Sequence, residues 1–174
     1  IMGGRVKTLH PGVHAGILAN RDEPEHMRQL AEQGLEAIDL VAVNLYPFEA
    51  TISRAGVSLG EAIENIDIGG PTMVRAAAKN HASVVVVVDP AEYPALLDEL
   101  REGGPSGQRR QELAGAAFAH TAAYDSAIAA YFRGQLDRVG WPRDFSIGGH
   151  KRQDLRYGEN PHQQAAFYRE TTHR

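Results

Sequence analysis

The sequence predicts an α/β domain with a largely parallel sheet flanked by helices, and three observations carry that prediction. Two apolar, β-branched runs, Ile38–Tyr46 (IDLVAVNLY) and Ala82–Val88 (ASVVVVV), lack the polar alternation of a half-exposed strand and suit strands buried on both faces. Helical periodicities lie before, between and after them, as parallel crossovers require. At 174 residues, 43% of them hydrophobic and 23% charged, the chain can bury one ordinary core without staples.

Taken in order, Asp22–Ala37 reads as a helix, with Pro24 near its start and Met27, Leu30, Ala31 and Leu35 on one face. The first strand follows; Pro47 ends it and biases Tyr46 to extended backbone. Ser58-Leu59-Gly60-Glu61 has the Ser-x-x-Glu pattern of a capping box, opening a short helix to about Ile66. Gly69-Gly70 breaks the chain, and Pro71 suits the first turn of a helix to about Asn80 through Met73, Val74, Ala77 and Ala78. Asp89-Pro90 ends the second strand, and a helix from about Ala91 to Arg101 runs up to the Gly103–Gly107 break. From about Gln108 to Arg133 a long helix carries Leu113, Ala116, Ala117, His120, Tyr124, Ile128 and Tyr131. Gly134–Gln153, rich in Gly, Pro and charge, reads as a linker, after which Leu155–Tyr168 (LRYGENPHQQAAFY) opens something new. Two strands are too few for a complete doubly wound domain. The chain also begins at Ile1 in motif-like sequence and stops just after a dense motif. The expectation is an internal piece of a longer protein, its first strands missing, with no signal peptide at its start.

Composition narrows the chemistry. With no cysteine, a disulfide framework, thiolate zinc, Fe–S ligation and thiol catalysis are excluded. A net charge of −4 argues against non-specific binding to nucleic acid or to anionic membranes. The longest apolar run, Val84–Val88, is strand-length and far short of the roughly 18 to 20 residues of a spanning helix. Of 18 basic residues only Lys7, Lys79 and Lys151 are lysines. In so Arg-rich a chain, each marks either a place that needs a compact, readily shifted ammonium or chance survival.

Three motifs bear on function. Gly3-Gly4-Arg5-Val6-Lys7-Thr8 sets two glycines beside two cations and a hydroxyl, which suits close approach to an anion as well as a solvated basic loop. His10 and His14 have helical ligand spacing, but Pro11-Gly12 between them is expected to spoil the helix, and no metal site is assigned. Asn44 and Tyr46 fall at the carboxyl end of the first strand, where open α/β sheets bind ligands. Asp67-Ile68-Gly69-Gly70-Pro71 enters a helix whose first N–H groups can hold an anion or oxyanion, with Arg75 and Lys79 on one later face.

These segments, RVKTLHPGVHAGIL, VNLYPFE, ENIDIGGPTMVRAAAKNHASVVVVVD and LRYGENPHQQAAFY, resemble in order and spacing the bifunctional purine biosynthesis family, which joins IMP cyclohydrolase to AICAR formyltransferase. The resemblance covers nearly the whole chain. It implies a methylglyoxal-synthase-like cyclohydrolase domain over residues 1–133, lacking its N-terminal part and most of its phosphate loop. A linker over 134–153 and the opening of a second α/β domain, the formyltransferase, over 154–174 would follow. It implies catalytic roles for Lys7, Tyr46, Asp67 and Lys79, with Asp67 and Lys79 as an acid–base pair. It also implies substrate contacts from Arg5 and Thr8, and, in the second domain, from Arg156, Tyr157 and His162. Asn44 and the backbone of Ile68, Gly69 and Gly70 join the substrate-binding set. The substrates would be the nucleotides formyl-AICAR, AICAR and IMP. Cyclisation would need no cofactor, and 10-formyltetrahydrofolate would be the co-substrate of the second domain. A cytoplasmic homodimer is implied as well.

The chemistry agrees with these residue types. Ring closure requires a proton taken from a weakly acidic amide, an oxyanion held, and a proton given to departing hydroxide. An Asp, two Lys and a Tyr can supply these roles. The alternatives are a non-catalytic regulatory domain of the same fold that binds a phosphorylated effector, and a methylglyoxal synthase-type lyase. The Tyr46, Asp67 and Lys79 motifs argue against both.

Overall fold

In the computed structural model, which describes residues 5–135 and 143–170, the two apolar runs pair side by side as parallel strands. Strand β1, Leu40–Ala42, lies against β2, Val85–Val87, in the register Leu40↔Val85, Val41↔Val86, Ala42↔Val87. Both are shorter than the sequence predicts. Val84 and Ser83 are held in a turn by bonds to the Asn80 carbonyl, so β2 starts late. Beyond it Pro90 has no N–H to donate, and the ladder ends with Val43 N–H donating to the Val87 carbonyl at 3.1 Å. Gly3, Gly4, linker residues 136–142 and the chain end from Thr171 lie outside the described residues.

The chain divides into two compact units, Ile1–Tyr46 with Asp67–Thr121, and Pro47–Ile66 with Ala122–Arg174. In the first unit β2 is covered on both faces, whereas β1 is buried only through Val41, with Leu40 and Ala42 exposed, which corrects the expectation that the first run is buried on both faces. Val84 and Val86 pack with Ile17, Val41, Val74, Ala77 and Ala117 on one side, while Val85 and Val87 pack with Leu96 and Leu113 on the other. Alternate residues of a strand face opposite ways, so an all-valine run is what a doubly covered strand needs.

The covering helices are α1 (Pro11–Leu18), α2 (Pro24–Glu32), α5 (Gly69–Lys79), α6 (Tyr93–Arg101) and the first part of α7 (Gly107–Gly134). Helix α1 corrects the expectation that Pro11-Gly12 spoils a helix. Pro11 sits in its first turn, where a missing N–H costs nothing, and the His10 ring caps it, Nδ1 accepting from Gly12 N–H at 3.1 Å. Helix α2 stops five residues before the expected Ala37. Gly34 takes φ 63°, its N–H reaches the Ala31 carbonyl, and Leu35 N–H closes on the Leu30 carbonyl at 2.9 Å, a Schellman-type end. Asn80 ties α5 to the end of α1, its side-chain amide donating to the Ile17 and Ala19 carbonyls at 2.8 and 2.9 Å. A 3₁₀ turn at Pro90–Glu92 leads into α6.

In the second unit, α3 (Phe48–Ile52) was not legible as a helix, since Pro47 read only as a stop. Phe48 is buried there edge-on to Tyr124 and Tyr131, and the Tyr124 hydroxyl donates to the Asn65 carbonyl at 3.2 Å. Helix α4 (Leu59–Glu64) carries the foreseen cap, with Ser58 Oγ accepting from Glu61 N–H at 3.1 Å. Strands β3 (Gly149–Leu155) and β4 (Ala165–Glu170) form an antiparallel hairpin with an irregularity between Lys151 and Gln153. Residues 149–153, read as irregular linker, are therefore strand. GHKRQDL is exposed on both faces and shows no apolar alternation, so its conformation comes from the ladder to β4 and leaves no mark in local sequence.

Candidate functional site at the carboxyl edge of the parallel sheet

In open α/β sheets the crevice beyond the carboxyl ends of the strands collects the loops that hold ligands. Here the loop after β1 is Asn44-Leu45-Tyr46, and it is pinned at each residue. Asn44 Oδ1 accepts from the Tyr93 hydroxyl at 3.0 Å, from the segment that follows β2. Leu45 lies against Gly70, where a β-carbon would come within 2.8 Å of Leu45 Cδ2. Tyr46 N–H donates to Asp67 Oδ2 at 3.3 Å. Tyr46 itself is 45% exposed.

Asp67 also supports the start of α5 at Gly69, which leaves Pro71 in the first turn as expected. Its Oδ1 accepts from Gly70 N–H at 2.8 Å, satisfying a donor that the first turn of a helix leaves open. The carboxylate thereby ties the β1 loop to the start of α5. Gly70 must be glycine for this contact, because a β-carbon would stand 2.6 Å from Asp67 Oδ2. Gly69 does the same for the basic loop: an added β-carbon would overlap the Thr8 hydroxyl. Thr8, Gly69, Gly70, Asp67, Leu45 and Tyr46 thus form one junction. Lys7 and Arg5 stand on the exposed loop leading to Thr8, and Ile68 is exposed beside Gly69. Of the N–H groups expected to hold an oxyanion, that of Gly70 is already occupied by Asp67.

Lys79 is not part of this junction. It is exposed at the last position of α5, ten steps after Gly69, or about 15 Å along the axis at 1.5 Å per residue. Asp67 and Lys79, the expected acid–base pair, thus stand at opposite ends of α5. The neighbour of the expected site residues that sequence reasoning missed is Tyr93. The sequence carried no signal for it, since only the pairing of β1 with β2 brings the segment after Asp89-Pro90 to Asn44.

In the second unit, Arg156, Tyr157 and His162 lie exposed on the 156–164 loop joining β3 to β4. The loop is held by its own bonds. Gln163 N–H donates to the Asn160 carbonyl at 3.0 Å, closing a turn with Pro161 at its second position and His162 at its third. Gln163 Oε1 in return accepts from Asn160 N–H at 2.8 Å, and Gly158 N–H donates to the Gln163 carbonyl at 3.0 Å. Among the described residues no helix is long and apolar enough to cross a membrane.

Two family models match the chain, the MGS-like domain over residues 1–72 and the AICARFT/IMPCHase bienzyme over residues 77–174. The chain is 55% identical over 170 residues to the bifunctional purine biosynthesis protein PurH of Ruminiclostridium cellulolyticum. It is 56% identical over 171 residues to that of Persephonella marina and 55% identical over 169 residues to that of Bacillus subtilis. Each alignment covers 97% of this chain and 33% of the relative, so the chain spans about a third of the length of these proteins. Among solved structures, a crystal structure of ForH superposes with a TM-score of 0.68 at 39% identity, covering 79% of this chain and 71% of that one.

Proposed function

The chain belongs to the AICARFT/IMPCHase bienzyme family, and from that premise we propose that its first unit performs the cyclohydrolase step of purine synthesis, closure of formyl-AICAR to IMP. The observation that supports this most directly is the junction itself: an Asp, a Tyr and a basic hydroxyl-bearing loop converge beyond the carboxyl edge of a parallel sheet.

In this reading the carboxamide nitrogen attacks the formyl carbon, the C–N bond forms, and the hydroxyl so created leaves as water. Asp67 takes the amide proton, its carboxylate held in place by the N–H groups of Tyr46 and Gly70. Lys7 and Tyr46 orient the formyl oxygen, helped by the N–H groups of Ile68 and Gly69. Arg5, Thr8 and Asn44 bind substrate. Lys79, exposed at the far end of α5, serves as proton donor to the leaving hydroxide only across a contact with a second chain, which the proposed homodimer supplies.

The cyclohydrolase part occupies residues 1–133. We place the opening of the formyltransferase part at the β3–β4 hairpin, starting from Gly149 because the ladder makes 149–155 one element. There Arg156 would pair with the AICAR phosphate through its planar donor fork, Tyr157 would pack on the imidazole ring, and His162 would orient the amine. The formyl donor would be 10-formyltetrahydrofolate, cyclisation itself uses no cofactor, and the protein acts in the cytoplasm. The test is to express the protein from its complete reading frame and follow formyl-AICAR into IMP by the ultraviolet change on ring closure. Tight nucleotide binding without turnover would instead establish the regulatory alternative.

A further inference from the structure

We infer that Tyr93 is a positioning residue that sets the hydrogen-bonding sense of Asn44, so that the crevice selects a ligand presenting a carbonyl-type acceptor. The geometry starts in the sheet. Because β1 and β2 are parallel neighbours with Ala42 opposite Val87, the chain leaving each strand emerges beside the other. Asn44 is two residues past β1; Tyr93 follows the turn after β2 and opens α6. The Tyr93 ring packs against Val85, Val87, Leu96 and Leu113, which fixes its hydroxyl at the edge of the crevice. That hydroxyl donates to Asn44 Oδ1 at 3.0 Å.

A carboxamide has one accepting oxygen and an NH₂ with two donors. With the oxygen engaged by Tyr93, the exposed side chain of Asn44 turns its donors toward a ligand. Rotating the amide would set the NH₂ against the phenol oxygen. Lone pairs of that oxygen are delocalised into the ring, so it donates better than it accepts, and the rotated arrangement is the poorer one. Nothing else on the β1 loop fixes this choice, since Leu45 and Tyr46 are held through packing and backbone. The crevice therefore favours a ring oxygen over a ring amino group. Within the proposed function, on which this inference rests, IMP carries a carbonyl where AMP carries an amino group on the same ring.

The test uses the protein expressed from its complete reading frame, with calorimetric dissociation constants for IMP and AMP. The parent is expected to prefer IMP at least about tenfold, since a site built to hydrogen-bond one group rejects an analogue that leaves its polar atoms unpaired. Tyr93→Phe keeps the ring and removes the hydroxyl, and it should narrow the IMP/AMP ratio at least about fivefold by weakening IMP and strengthening AMP. Asn44→Asp, which can only accept, should reverse the preference, and it provides the measurement if Tyr93→Phe does not fold. A Tyr93→Phe ratio within twofold of the parent, or affinities for both nucleotides falling in parallel, overturns the role given to Tyr93. In that case reversal by Asn44→Asp would leave the nucleotide reading standing. A parent protein that binds neither nucleotide overturns both.

Discussion

Replacing Gly70 by alanine adds a single β-carbon where the structure has no room for one. That atom would stand 2.6 Å from Asp67 Oδ2, 2.8 Å from Leu45 Cδ2 and 3.0 Å from Asp67 Cγ. The carboxylate cannot simply swing aside, because it accepts from Gly70 N–H at 2.8 Å and from Tyr46 N–H at 3.3 Å. Overpacking of this kind costs roughly 1–3 kcal/mol. The two partly exposed hydrogen bonds it weakens are worth about 1 kcal/mol or less each. Alanine returns up to about 1 kcal/mol through helix propensity. The net loss is about 2 kcal/mol, a shift of about 1 M in the urea midpoint for a slope near 2 kcal/mol per molar. Movement of the Tyr46 backbone by a fraction of an ångström should also lower kcat for cyclisation by roughly 10- to 100-fold. The assays are urea unfolding followed by far-ultraviolet circular dichroism and IMP formation. Gly115→Ala is the control, since in mid-α7 its β-carbon meets nothing within 4 Å and should stabilise by about 0.5–1 kcal/mol. If Gly70→Ala matches the parent in midpoint and kcat while Gly115→Ala behaves as expected, the tight junction does not organise the site.

Asp67→Asn and Lys79→Arg should each lower kcat at least about 100-fold. If the two residues act across a two-fold dimer, co-refolding the variants should restore about a quarter of parent activity, because half the dimers are mixed and each mixed dimer holds one intact site; no recovery refutes the intersubunit role of Lys79. Tyr46→Phe removes one hydroxyl at an exposed position, and its loss should appear in kcat more than in KM. A change confined to KM assigns Tyr46 to ground-state binding. Arg156→Ala should impair formyl transfer and spare cyclisation. Equal loss of both activities with folding and dimerisation intact would make the hairpin loop a structural hinge.

Local chemistry determined much of this molecule. The valine run suited a strand covered on both faces, which Val85–Val87 forms, Ser58 and Glu61 marked the start of α4, and the motif order was enough to identify the family. The end of α2 at Gly34 and the start of α1 at Pro11 were equally local, and stronger weight on glycine ends and proline starts would have found them. The polar residues that gather at the sheet edge were legible too, as Asn44, Tyr46 and Asp67 show. Their arrangement was not. That Asp67 braces Tyr46 and Gly70, that Thr8 rests where Gly69 lacks a β-carbon, and that Tyr93 reaches Asn44 all depend on which segments the folded chain brings together. The same holds for β3, a polar strand made only by its partner, and for Lys79, held away from Asp67 by the length of α5. Caps, turns and buried runs act over a few residues and leave their mark in composition. A hydrogen bond across 49 residues leaves none, because either partner alone is an ordinary polar side chain.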